Sequence, residues 1–468
     1  MTSTLNAAQP ALQYISPQFN SAVLNLAKIV LPWGLKLQTN IEDIEVDNAD
    51  ILIKLYQQFQ QGKIRLLLAF RHPRTEDPLC LASLFWQILP QEAKKRGIML
   101  NSPVHAHFVF DRGIPLWAGN WIGWLYSRLG GSSIQRGKLD LLGLKGARNL
   151  FLNGKFPLAI APEGATNGHN DIISPLEPGI AQLSFWCAED LEKAARSEEV
   201  IVLPMGIKYS YLDRPWSEIA SILSQLENDC GIVNSLAEES INNDNISDAQ
   251  IEKLYCRLMK IAAYLLSEME NFYSHFYHQH LAAIESEEKT EKDPNQILAL
   301  RLKRLLDAVL KVAENYFYLQ TKGDIVDRCR RIEQAAWDYI YQRELKEDEQ
   351  ISSVRKGLAD RVAQEAQLHI WHMRIVESFV AVTGNYVKED LSAERFAETV
   401  TILWDLVTRI KEGNPFDRPQ FGRQKVNLIM GEPILIRQRY PSYKSNRRQG
   451  IDNLTNDLKI ALYKTIQS

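Results

Sequence analysis

Apolar and polar positions divide the chain into three textures. From about Ile51 to Tyr211, short apolar runs alternate with amphipathic stretches. "KIRLLLAF" is continuous in apolar residues and bounded by turns, which predicts a buried strand of a largely parallel sheet. "VHAHFVF", "FPLAIAPEG" and "VIVLPMGIKYSY" predict further strands, and the proline inside the last of these favours an edge strand or a bulge. "PLCLASLFWQILPQEAKKRG" predicts a helix closed by Gly97, and "AGNWIGWLYSRLGG" a helix ended by two glycines. "LLGLKGARNLFLNG" and "ISPLEPGIAQLSFWCAEDL" predict two more, and "SSIQR" a short strand or turn. From Pro215 to about Gly413 nearly every stretch has helical periodicity, as in "QILALRLKRLLDAVLKVAENYFYLQ" and "RVAQEAQLHIWHMRIVESFVAV". The charged "ESEEKTEKDPN" reads as a solvated linker within it. Strand character returns in "GRQKVNLIMGEPILI", and "GIDNLTNDLKIALYKTI" predicts a closing helix.

The fold class predicted is α/β: a mixed, largely parallel sheet flanked by helices and split by a large all-helical insertion. Residues 1–50 would form an N-terminal amphipathic helix and an edge segment. The first part of the α/β domain would span 51–214, the helical insertion 215–421, and the return strand and C-terminal helix 422–468. Residues 1–15 read as a loose terminus, and "IEDIEVDNA" as an edge strand. No fixed-period repeat stands out, and the inserted helices suit a bundle.

The first helix has two readings. "FNSAVLNLAKIVLPWGLKLQ" is interrupted by Lys28 and Pro32, too short on either side to span a bilayer, and preceded by no secretory signal. Ala22, Leu26, Ile29 and Trp33 share one face at helical spacing, and Trp33 beside Lys36 suits a membrane interface. An amphipathic helix packed on its own protein is the plainer reading.

Composition narrows the classes. With 468 residues, 45% hydrophobic and 24% charged, the chain suits a globular protein of two or three domains. A net charge of −3 gives no basic field for nucleic acid. The five cysteines are scattered without a C-x-x-C pair, and the nine histidines include no H-E-x-x-H. Reduced thiols, a cytoplasmic setting and no metal centre are expected.

Candidate chemistry gathers at strand ends. "RHPRTEDP" follows a predicted buried strand, so His72 lies where open α/β sheets place catalytic groups. Asp77 precedes Pro78, a favoured first helical residue, so Asp77 reads as an ordinary N-cap or as a partner that orients the His72 ring. Pro162-Glu163-Gly164 follows another strand and reads either as a turn or as a polar cradle. "RLGGSSIQRGK" fails as a phosphate loop, because five residues separate Gly131 from Gly137 and Leu139 follows Lys138. What remains is a flexible basic turn whose Arg136 and Lys138 can grip an anion. No G-x-S-x-G elbow is present, which argues against a serine hydrolase.

Taken in order, these stretches resemble the glycerolipid acyltransferases, the superfamily of glycerol-3-phosphate and lysophosphatidate acyltransferases. That family carries His-x4-Asp, a Gly-rich block ending in Arg, Pro-Glu-Gly, and a hydrophobic-Pro block. Here these stand as His72 and Asp77, Gly130-Gly131 to Arg136, Pro162-Glu163-Gly164, and Leu203-Pro204. "HPRTEDP" is similar to the soluble plastid-type glycerol-3-phosphate enzymes. The resemblance covers about Ile64–Tyr211 and Gly422–Ser468. Two departures stand out: Arg71 occupies a position that is often Asn, and Thr166 stands where the family's Pro-Glu-Gly-Thr-Arg presents an arginine to the acceptor phosphate.

The resemblance implies transfer of a fatty acyl group from acyl carrier protein or coenzyme A thioester to a hydroxyl of a glycerolipid precursor, in phospholipid biosynthesis. His72 would be the base and Asp77 its orienting partner. Arg136, Lys138, Arg74, Gly131, Glu163 and Gly164 would surround the acceptor. No metal or cofactor is implied beyond the thioester co-substrate. A cytoplasmic, peripheral position on a membrane is implied, with Trp117, Trp121, Trp124 and Tyr126 as a second candidate contact or as core and acyl-tunnel wall. The other reading is an acyltransferase-like scaffold of reduced activity whose helical insertion binds a protein partner.

Overall fold

The structure is a computed structural model. It describes residues 7–135, 140–232, 241, 243, 245–281, 293–342, 345, 351–379, 385–415 and 417–467, the side chains of 36–38 and 117 excepted. Most of the expected charged linker, residues 285–292, lies outside the described residues. The chain divides into two compact units, Gln13–Ser210 with Arg423–Ser468, and Met1–Leu12 with Tyr211–Gly422.

The first unit is α/β. It opens with helix α1 (Ser21–Gln38), strand β1 (Ile41–Asp47), helix α2 (Ala49–Gln60) and strand β2 (Ile64–Phe70). Helix α3 (Asp77–Ser83) runs through a π-helical turn at Leu84–Ile88 into α4 (Leu89–Lys95). Then come β3 (His107–Asp111), α5 (Ile114–Ala118), α6 (Asn120–Arg128), β4 (Gly131–Ile134) and α7 (Leu141–Asn153). Strand β5 (Leu158–Ile160), helix α8 (Gly179–Lys193) and strand β6 (Glu199–Tyr211) end the first pass. The chain returns with β7 (Gln424–Met430), β8 (Ile434–Leu435) and the closing helix Arg447–Gln467.

These strands form one eight-stranded sheet in the order β1-β7-β6-β2-β5-β3-β4, with β8 antiparallel on β6. The pairs β1–β7, β6–β2, β2–β5, β5–β3 and β3–β4 are parallel. The chain is therefore mixed α/β, with a largely parallel sheet flanked by helices and a large helical segment in its middle.

Burial on both faces explains the unbroken apolar run in β2. Leu66, Leu68 and Phe70 enter the core shared with α2 and α3, while Leu67 and Ala69 enter the one shared with α7, α8 and the closing helix. Leu67 pairs with Leu158 on one side and Val202 on the other. The helix leading to β3 ends as the sequence predicts. Gly97 takes φ +70, and Ile98 N–H reaches back to Ala93 O at 2.9 Å, the bonding that closes a helix on a left-handed residue.

Three expectations are corrected. The strand containing Pro204 is interior, between β7 and β2. Met205 O accepts from Arg71 N–H on the β2 side, so by alternation Pro204 presents its missing N–H on the other side. There β7 has ended, and Pro204 O accepts from Gly431 N–H at 2.9 Å. Gly131 is not in a flexible turn but starts β4, where a Cβ would stand 2.6 Å from the Phe108 ring. The terminus is also not loose from Ala7 onward. Gln9–Pro10 pair with Tyr341–Gln342 in the helical unit, and Ile15 N–H donates to Ser133 Oγ at 2.8 Å in the α/β unit.

The second unit holds α9 (Trp216–Asp229), α10 (Asp248–Phe276), α11 (Pro294–Tyr316), α12 (Ile325–Ile340), α13 (Ser353–Glu377) and α14 (Ala393–Ile410). Ser247, Asp293, Asp324 and Ser352 cap α10 to α13 with side-chain acceptors. Buried charges are paired: Arg328 with Glu314 and with the more exposed Asp307, and Glu333 with the half-buried Arg374, which also meets Glu377. His372 is a core histidine, its Nδ1 2.6 Å from Tyr273 Oη, with burial holding it down to about 3.

Candidate active site

The site lies at the carboxyl end of β2, where the strand stops at Phe70 and its neighbour β6 runs on to Tyr211. The exposed ladder of β6 there is satisfied by one side chain. Asn170 Oδ1 accepts from Tyr209 N–H at 2.8 Å, and Asn170 Nδ2 donates to Tyr209 O at 3.0 Å.

His72 follows the strand end by two residues, and its Nδ1 lies 2.8 Å from Asp77 Oδ2. Asp77 is fully buried, while the His72 side chain is 22% exposed. The carboxylate does not cap α3: Asp77 is the first residue of that helix, and its partners lie outside it. It turns back instead: Oδ2 also accepts from Arg74 N–H at 3.0 Å, and Oδ1 accepts from Tyr209 Oη at 2.5 Å. With both oxygens accepting, Asp77 is acceptor-only, so His72 Nδ1 carries the proton and Nε2 presents a lone pair. Nε2 makes no hydrogen bond among the described residues. A partly exposed imidazole, fixed in the Nδ1–H form by a buried carboxylate, is an arrangement that accepts a proton from a hydroxyl.

Tyr209 is buried, and burial followed by the adjacent Asp77 charge holds its phenol well above its ordinary range. It therefore stays a donor to Asp77. Cys80 Sγ is 3.7 Å from the same oxygen, and burial pushes that thiol up to about 12, so it is no thiolate nucleophile. The Arg74 guanidinium sits over the Tyr209 ring at 4.4 Å and donates to Gln424 Oε1 at 2.6 Å. Arg74 is thus tied into the wall of the site.

Glu163 is turned inward. One oxygen accepts from His72 N–H at 3.1 Å, and the other from Asn167 Nδ2 and Ser174 N–H, both at 2.9 Å. Its charge is met by Arg71 Nε at 3.6 Å, with both side chains fully buried. Arg71 also donates to the carbonyls of His169, Asn170 and Ile172. Glu163 therefore clamps the His72 backbone and does not face solvent. Gly164 closes the Pro-Glu turn with φ +72, its N–H donating to Ala161 O at 3.3 Å. Arg71 is the cation that meets the Glu163 charge in this clamp.

The predicted residues are thus brought together unequally. His72, Asp77, Arg74, Glu163 and Gly164 belong to one cluster around the β2 and β5 ends. Gly131 lies in β4 at the far edge of the sheet. Arg136 and Lys138 lie outside the described residues, and Thr166 is exposed. Tyr209, Asn170 and Asn167 were not singled out from the sequence. "IKYSY" carries no motif, and only the overrun of β6 past β2 could have pointed to Tyr209. Among the described residues, no group of His, Cys, Asp and Glu could hold a metal ion, and no helix is long and apolar enough to cross a membrane. No protein-family model, curated protein or solved structure matches the chain.

Proposed function

We propose that the chain is an O-acyltransferase that moves a fatty acyl group from an acyl carrier protein or coenzyme A thioester to a hydroxyl of a glycerolipid precursor. The observation that carries the reading is the Tyr209–Asp77–His72 chain, which starts from a buried phenol and carboxylate and ends, at the carboxyl end of a parallel strand, on an Nε2 that has no hydrogen-bond partner among the described residues. The motif order of the resemblance supports the substrate class.

In the reaction, His72 Nε2 takes the hydroxyl proton as that oxygen bonds to the thioester carbonyl carbon. The imidazolium formed is held by Asp77, whose charge is already oriented by Tyr209 and Arg74 N–H. Collapse of the tetrahedral adduct breaks the carbon–sulfur bond, and the departing thiolate takes the proton from Nε2. The base is then restored and no covalent enzyme intermediate forms. Glycerol 3-phosphate or 1-acylglycerol 3-phosphate would be the acceptor. With Glu163 turned inward and Arg74 tied to Gln424, Arg136 and Lys138 are the cations proposed to hold the phosphate.

The test offers labelled acyl carrier protein and coenzyme A thioesters to the purified chain with glycerol 3-phosphate, its 1-acyl ester or a phosphate-free glycerolipid. Acylated product that falls by ~10²-fold or more in His72→Ala is the expected result. Absence of product with every acceptor would favour a second reading, a scaffold whose helical unit binds a partner protein. One observation favours that reading: α13 leaves Val354, Leu358, Val362 and Leu368 exposed.

A further inference from the structure

Strand β6 outruns its neighbour. Its pairing with β2 ends at Met205, opposite Phe70, and Arg71 N–H donates to Met205 O at 2.9 Å as the last rung. Tyr209 lies past that point and is buried. A strand end without a neighbour frays, and fraying here would carry the Tyr209 hydroxyl away from Asp77. One side chain takes the neighbour's place. Asn170 Oδ1 accepts from Tyr209 N–H at 2.8 Å, and Asn170 Nδ2 donates to Tyr209 O at 3.0 Å. A peptide unit of a further strand would offer the same acceptor and donor. Among short side chains only a carboxamide carries both on one planar group, whereas a carboxylate would set an acceptor against Tyr209 O.

Asn170 is itself held from the other side. Arg71, fully buried and next to the base in the chain, donates to the carbonyls of His169, Asn170 and Ile172 and meets Glu163 at 3.6 Å. Glu163 in turn accepts from His72 N–H at 3.1 Å. These contacts close a ring. From the His72 amide it runs through Glu163, Arg71 and Asn170 to Tyr209, and from the Tyr209 hydroxyl through Asp77 back to the His72 imidazole. The base is thus gripped at its backbone and at its ring, and Asn170 is the link that joins the two grips.

We infer that Asn170 is a positioning residue for the His72 base: it fixes the end of β6 and, through the Tyr209 hydroxyl, fixes Asp77 and the imidazole. Its carboxamide is spent on the Tyr209 backbone, so it acts through Tyr209 and not on the reacting atoms. The kinetic consequence rests on the transferase reading, and the mechanical one does not. A side chain that merely filled space would stabilise the fold without reaching Asp77. The two roles separate at Arg74 N–H, which donates to Asp77 Oδ2 at 3.0 Å and so reports where that carboxylate lies. In a connected buried network, loss of one member is felt by the members beyond it.

The test compares amide hydrogen exchange of the full chain in wild type, Asn170→Ala and Tyr209→Phe. In Asn170→Ala, Tyr209 N–H is expected to exchange ~10-fold faster and Arg74 N–H ~3-fold faster, with the paired residues 199–205 unchanged. In Tyr209→Phe, Arg74 N–H is expected to quicken while the amide at position 209 keeps its protection. In steady-state acyl transfer, Asn170→Ala is expected to lower kcat about tenfold with KM little changed, and to add less than about twofold in the Tyr209→Phe background. Unchanged exchange at Arg74 N–H in Asn170→Ala overturns the inference, as does a tenfold loss of kcat in both backgrounds. If Asn170→Ala does not fold, Asn170→Ser, whose hydroxyl cannot span both groups, supplies the same readings. A wild-type chain that transfers no acyl group would sink the transferase reading alone, and the two amides would still decide the role of Asn170.

Discussion

Asp77 is the residue on which the site turns. Three donors converge on its carboxylate, from His72, Arg74 and Tyr209, and it is cut off from water. Such a group orients the imidazole strongly, because each donor restricts where its charge lies. Tyr209→Phe keeps the ring under Arg74 and removes one donor. The Asp77 carboxylate then loses one of the three donors that fix it, and the His72 ring is held less firmly. The kcat of the variant is expected to fall about tenfold, with KM little changed. Steady-state kinetics check this, and an unchanged kcat would reduce Tyr209 to a packing residue.

At the scale of elements, the segment from α4 to β3 shows how buried polar groups are kept neutral. His105 Nε2 lies 2.7 Å from Leu129 O, and Trp86 Nε1 donates to its Nδ1 at 3.0 Å. Both nitrogens are therefore occupied in the neutral Nε2–H form. Burial holds this group down to about 4, against an ordinary value of 6.5, and neighbouring His107 and Lys28 add to the effect. The unfolded chain binds the proton first. Stability from this group is thus level above pH 6.5 and falls between 6.5 and about 4. Denaturant unfolding at a series of pH values is expected to show a wild-type slope that exceeds that of His105→Gln by up to about 1.4 kcal/mol per pH unit. Equal slopes would show that the folded protein takes up this proton at the ordinary value.

For the whole molecule, the sheet is finished by the end of the chain. Strand β7 lies between β1 and β6, and Leu454, Leu458 and Leu462 of the closing helix belong to the core over β2 and α8. Neither can form until the helical unit has been traversed, which makes these pairings long in sequence and slow to close. A chain stopped before Gln424 would leave β1 unpaired, open the β6 edge and uncover an apolar face. It is expected to aggregate, or to lose its cooperative melt, while the intact chain does not. Size-exclusion and thermal unfolding of the two side by side distinguish these outcomes.

Local chemistry was enough to predict much of this. The unbroken apolar run of "IRLLLAF" marks a strand buried on both faces, Gly97 marks a helix end, and the helical periodicity after Pro215 marks the second unit. His72 and Asp77 stood out because a histidine and an aspartate close together just past a strand end are already near each other in space. Other features depend on neighbours far away in the chain. Pro204 reads as an edge residue until the sheet order shows that its missing N–H falls where β7 has ended. Glu163 reads as a substrate ligand until Arg71 and the His72 amide are found against it. Tyr209 carries no local mark, because its contact with Asp77 spans 132 residues. The apolar stripe of α1 was visible from its spacing, but spacing cannot say which of two apolar faces is covered. Only tertiary packing decided that Leu24 and Leu31 go inward and that Leu26, Ile29 and Trp33 stay out. Periodicity is a property of one helix, and burial belongs to the elements that meet it.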